Sequence, residues 1–151
     1  MEEERRLVWR VLRHWKEVSV SGRFPGRDEI DPWLQGEDGK NCLLIAVESP
    51  IELSHFVAVG VNLAVALCST DTLAVLLLSR APRVVAARRC LIVEGGATLR
   101  GESILYRSVL LPLSEDGLAI DYVLGAANYR SLHADETQAP KTGFPSLHCP
   151  I

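Results

Sequence analysis

Few residues of this chain are spaced to do chemistry together. The one polar concentration is the run RFPGRDEIDP, where Arg23 and Arg27 stand beside Asp28 and Asp31. Two readings stay open there. The four side chains form a polar docking surface for a partner or ligand, or they cap and pin a loop through exposed ion pairs worth at most about 1 kcal/mol each. Acid–base chemistry in an apolar cavity would need a carboxyl group whose pKa is raised by its surroundings. Glu94 and Asp121 are the acids close to predicted strands, and both suit turn-proximal positions equally well. Nucleophilic catalysis would need a Ser or Cys with a His and an orienting carboxylate. Ser103, Ser108 and Ser114 read instead as ordinary strand and turn residues. His148-Cys149 has no companion ligands at metal-binding intervals, and Gly95-Gly96 leads no helix that would hold a phosphate. The reading is therefore non-enzymatic, with no catalytic residue, no metal and no cofactor.

The four cysteines, Cys42, Cys68, Cys90 and Cys149, are widely and irregularly spaced, without a C-x-x-C pair. The chain opens on acidic residues rather than a signal peptide, so a cytoplasmic setting is expected and a disulfide framework is not. Cys42, Cys68 and Cys90 lie in apolar surroundings and read as buried, unreactive thiols. The apolar stretch Phe56 to Cys68 is too short to span a bilayer. A net charge of −3, with no basic stripe, gives no reason to expect nucleic acid as a partner. The 151 residues suit one domain, and a hydrophobic fraction of 48% supports a true core.

The elements that must position these residues follow from periodicity. Residues 3–18 read as an amphipathic helix whose Leu7, Val8, Val11, Leu12, Trp15 and Val18 share an arc of about 140°. Trp9 falls off that arc and invites a second contact, a subunit or the edge of the stripe. A Gly- and Pro-rich loop follows over 19–40, with Asp31-Pro32 set to cap a short helical turn. The apolar run from Cys42 to Glu48 suits a strand covered on both faces, and His55 to Val61 a second one. Residues 62–79 have helical composition, with Ser69, Thr70 or Asp71 as a cap and Pro82 as the stop. Residues 83–94 are ambiguous between a helix beginning at Pro82 and a third strand; the β-branched and apolar residues, with Gly95-Gly96 following as a turn, favour the strand. Ser103 to Leu113 and Ala119 to Tyr129 form a hairpin, because Asp116-Gly117 supplies the positive φ of a tight turn. On the fourth strand Tyr106 and Arg107 face opposite ways. Arg107 shares its face with Leu105, Val109 and Leu111, which calls for an open strand end or a partner across the sheet.

Taken together, RFPGRDEIDP after an amphipathic helix, Ala81-Pro82 before the later strands, and LLPLSEDG followed by Asp121, Leu124, Gly125 and Tyr129 resemble a bacterial family of small stand-alone PAS-domain proteins. The resemblance covers about residues 8–131. It implies an α+β fold, a PAS-like five-stranded antiparallel sheet with helices on one face and an N-terminal amphipathic helix. The corresponding division is a flanking helix over 1–20, the PAS-like domain over 21–130 and a flexible tail over 131–151. It also implies a sensory or regulatory module working through ligand or protein binding and dimerisation. Expected partners are a second copy, a separate signalling protein or a small apolar ligand. The stripe Leu7, Val8, Val11, Leu12, Trp15 and Val18 is the candidate dimer contact. The stretch between Gly60 and Pro82 is short for pocket-lining helices, and the Gly-rich segment expected after the second strand is missing. An isomerase- or cyclase-like enzyme using an apolar cavity is the alternative.

Overall fold

The computed structural model describes residues 2–19, 22–65, 72–99 and 101–132, with residues 2–6 described by their backbone. Helix α1, Glu2–Val18, opens the chain and is followed by α2, Arg27–Leu34. Strands β1, Cys42–Ala46, and β2, His55–Val59, come next. After a 3-10 turn at Val61–Leu63 come helices α3, Leu73–Leu78, and α4, Ala81–Ala87. Strands β3, Leu91–Leu99, β4, Glu102–Leu113, and β5, Tyr122–Ser131, complete the sheet. Every pairing is antiparallel and the strand order is β2-β1-β5-β4-β3. This is an α+β architecture, compatible with a PAS-like fold.

Alternation along the strands divides the core into two layers. Cys42 and Leu44 of β1, Val109, Leu111 and Leu113 of β4, and Leu124 and Ala126 of β5 face α1 and α2. Leu43, Ile45, Tyr106, Leu110, Val123 and Ala127 point the other way, toward α3 and α4. Helix α1 therefore covers one face of the sheet and α3–α4 the other. The α1 stripe is held there by Leu7, Val8, Val11, Leu12 and Trp15, each 0–3% exposed. Burial of such side chains stabilises by roughly 1.5–3 kcal/mol apiece, which is what fixes a single helix on the sheet.

The hairpin is built by its turn. Gly117 has φ +86, a conformation that costs residues with a Cβ. The Asp116 carboxylate accepts from the N–H groups of Leu118 at 2.8 Å and Ala119 at 3.0 Å, and from the Ser114 hydroxyl at 2.8 Å. Those bonds hold the carboxyl at about 2, the Ala119 and Leu118 amides contributing most.

Several boundaries differ from the sequence reading. Pro82 does not stop a helix; it sits in the first turn of α4, where its missing N–H costs nothing. The expected strand over 83–94 is thus a helix to Ala87, closed by Arg88 in the left-handed region at φ 56, followed by β3. Gly95-Gly96 lies inside β3 rather than in a turn. Helix α3 is capped by the Thr72 hydroxyl, which accepts from the Val75 N–H at 3.2 Å; the caps expected at Ser69, Thr70 or Asp71 fall outside the described residues. Asp31 does not cap a turn. Helix α2 begins earlier, at Arg27, and Glu29 accepts the Gly26 N–H at 3.0 Å. Cys90 is disulfide-bonded, not a free thiol as expected, and its partner lies outside the described residues, as do Cys68 and the tail from residue 133. Cys42 is buried and free.

Candidate functional site

The face under α3 and α4 is where a PAS-like arrangement would offer a site. Leu73, Ala74 and Leu77 of α3, with Ala81 and Val84 of α4, meet Leu43, Ile45, Leu110, Val123 and Ala127 of the sheet. Apolar side chains occupy this layer. Its polar feature is a pair: the Arg80 guanidinium donates from Nη2 to the Tyr106 hydroxyl at 2.7 Å and lies 5.5 Å from the ring centre. Tyr106 is 3% exposed. Its ring extends over β3, and a Cβ on Gly95 would stand 2.8 Å from the hydroxyl and 3.0 Å from the ring carbon bearing it. The glycine that read as a turn residue is needed to give this ring its place.

The predicted polar surface is only partly assembled. Arg27 pairs with Asp31 at 3.3 Å, reaches the Tyr122 hydroxyl at 3.5 Å and lies 5.3 Å from the Tyr122 ring centre. Its pKa is raised, first by the Tyr122 hydrogen bond and, against an opposing effect of burial, by the Asp31 charge. Asp28 is exposed. Arg23 belongs to the hairpin, where its Nε would be 3.1 Å from a Cβ at Gly117. Nearby, Arg88 donates to the Leu118 carbonyl and lies over the Phe24 ring, tying α4, the loop and the hairpin together. No local signal in the sequence marks Tyr122, Arg80 or Arg88, because each works through a contact distant in the chain.

On the α1 face, the candidate dimer stripe is buried against the chain's own sheet, with Val18 half-buried at its end. Trp15 donates its indole N–H to the Pro112 carbonyl at 2.9 Å. Trp9 is 39% exposed and, with Arg13, Lys16 and Glu17, lines a concavity of about 570 Å³ on the outer side of α1. Arg10, on the same rim, makes a two-pronged ion pair with Asp38, both contacts 2.7 Å. Arg107 is 1% exposed and reaches Glu94, its register partner on β3, at 3.6 Å. The partner across the sheet is therefore present.

Neither candidate acid faces the α3–α4 layer. Glu94 is engaged with Arg107 on the other face, and Asp121 accepts the Glu115 N–H at 2.8 Å within the hairpin. His55 is exposed, 3.8 Å from Glu48, and His14 stacks on Trp33 at 5.7 Å. Among the described residues no three His, Cys, Asp or Glu side chains are grouped to hold a metal. Burial pushes the Cys42 thiol pKa well up, and its Sγ donates to the Asp38 carbonyl at 3.3 Å. Among the described residues no helix is long and apolar enough to cross a membrane. Neither a family model nor a curated protein matches the sequence.

Proposed function

We propose that this chain is a PAS-like regulatory module, non-enzymatic, that works by binding a partner or ligand and by pairing with a second copy. The observation that supports it best is the two-layered sheet. The strand order β2-β1-β5-β4-β3 carries α1 on one face and the α3–α4 pair on the other. Such an arrangement couples a packed layer to a flanking helix, so a binding event that favours one packing shifts the population of the other. The isomerase- or cyclase-like alternative is weakened by the placement of Glu94 and Asp121, since both carboxylates are engaged away from the apolar α3–α4 layer.

With Leu7, Val8, Val11, Leu12 and Trp15 committed to the chain's own core, the second copy meets the opposite side of α1, where Trp9 is exposed. Native mass spectra of the protein and of Trp9→Glu, recorded before and after denaturation, test this. A dimer that Trp9→Glu converts to monomer supports the reading. A wild-type protein that stays monomeric and retains no small molecule at any concentration overturns it.

A further inference from the structure

We infer that Arg80 and Tyr106 form a receptor point for a carboxylate at the β3 edge of the α3–α4 layer. The inference names a ligand chemistry for the proposed module and rests on that reading.

Arg10, Arg27 and Arg107 each pair with a carboxylate. Arg13, Arg83 and Arg89 are exposed, where water solvates them. Arg80 is half-buried, yet among the described residues it has no ion pair. Its Nη2 is used by Tyr106, while its Nη1 is buried and has no hydrogen-bond partner among the described residues. A water molecule can accept a hydrogen bond from Nη1, but it leaves the cation uncompensated in a partly desolvated place.

The second donor is the tyrosine itself. The Tyr106 oxygen accepts from Arg80, so the O–H proton is left for another acceptor, and none among the described residues takes it. A guanidinium N–H and a phenol O–H attached to groups 2.7 Å apart present two donors side by side. Two adjacent donors and a single positive charge match the two oxygens and single negative charge of a carboxylate. A phosphate dianion would ask for more charge than this point supplies. Gly95 completes the site, since a side chain there would displace the Tyr106 ring.

The carboxylate belongs either to a small organic acid or to an acidic side chain of a peptide. Calorimetric titration with sodium succinate and with the peptide Gly-Glu-Glu-Gly, at ionic strength matched by sodium chloride, separates the two sources. Saturable binding of either probe is expected, weakened about tenfold or more in Arg80→Gln, as suits loss of a charge-assisted hydrogen bond. Tyr106→Phe keeps the cation and loses one donor, so it weakens binding by a smaller factor. If Arg80→Gln fails to fold, Arg80→Lys takes its place and gives an intermediate loss. Absence of saturable binding to the wild type, equal binding by the Arg80 variant, or equal binding of inorganic phosphate each overturns the inference. A monomer in the mass spectra would count against the dimer without touching this titration, which reads Arg80 and Tyr106.

Discussion

Trp15 and Pro112 are joined by one hydrogen bond, indole Nε1 to backbone carbonyl, at 2.9 Å. It fixes the end of α1 to the end of β4 across the helix–sheet interface. Trp15 is 3% exposed and Pro112 is buried, so the carbonyl has little water to turn to if the indole is lost. Trp15→Phe keeps most of the ring and should cost about 1–2 kcal/mol, whereas Trp15→Ala also leaves a cavity and should cost about 3–5 kcal/mol. Urea unfolding midpoints of the two variants check this. A Phe variant as unstable as the Ala variant would mean that the bond, not the ring packing, anchors the helix.

The Arg107–Glu94 pair is a second anchor on the same face, and a costlier one. Arg107 is 1% exposed, so removing a carboxylate 3.6 Å from it takes charge compensation away from a cation in the core. Glu94→Gln should destabilise the fold by roughly 3 kcal/mol. Replacing both residues by leucine should cost less than the sum of the single changes, because the buried charge goes with its partner. A double-mutant cycle at the 3.6 Å contact measures that coupling. Strict additivity would show that the two side chains do not depend on one another.

How much of this was legible beforehand depended on whether the signal was local. The α1 stripe and the β4–β5 hairpin were visible because each repeats or turns within a few residues; the structure gives Glu2–Val18, Glu102–Leu113 and Tyr122–Ser131, the second hairpin strand starting at Tyr122 rather than Ala119. The anomaly of Arg107 was visible too, since strand alternation alone put it among Leu105, Val109 and Leu111. Helix α4 is ambiguous in the sequence, because Pro82 ends a helix as readily as it starts one, and Ala81 and Val84 buried under the layer decide. Gly95-Gly96 misled for a related reason. A glycine pair marks a turn or a close approach, and the ring that needs the space belongs to Tyr106 on the neighbouring strand. The polar surface at Arg23, Arg27, Asp28 and Asp31 was seen as a cluster along the chain. In space it divides between α2 and the hairpin tip, with Tyr122 supplied from β5.

Cys42 offers a test of the packed β1 strand. Burial disfavours its thiolate, the form that reacts with alkylating agents, and the thiol is occupied by the Asp38 carbonyl. Iodoacetamide at mildly alkaline pH should leave the Cys42 peptide unmodified in the native protein and alkylate it fully in urea, as read by peptide mass mapping. Rapid native labelling of that peptide would mean that β1 opens to solvent far more often than its burial allows.

Asp116 links the hairpin turn to pH. Its carboxyl titrates near the ordinary 3.8 in an unfolded chain and at about 2 in the folded one, chiefly because the Ala119 and Leu118 amides hydrogen-bond the ionised form. The folded state therefore binds the Asp116 proton less readily than the unfolded state. The stability this contributes is fully present above about pH 4 and is lost as pH falls through about 2. Asp116→Asn cannot ionise, and its amide oxygen accepts the same N–H groups more weakly, so the variant should be less stable at neutral pH. Its stability curve should also be flatter between about pH 4 and 2. Thermal unfolding of both proteins across that window reads the difference. Parallel curves would mean that the turn is held by Gly117 and the Ser114 hydroxyl, which accepts the Gly117 N–H at 2.8 Å, with no contribution from the Asp116 charge.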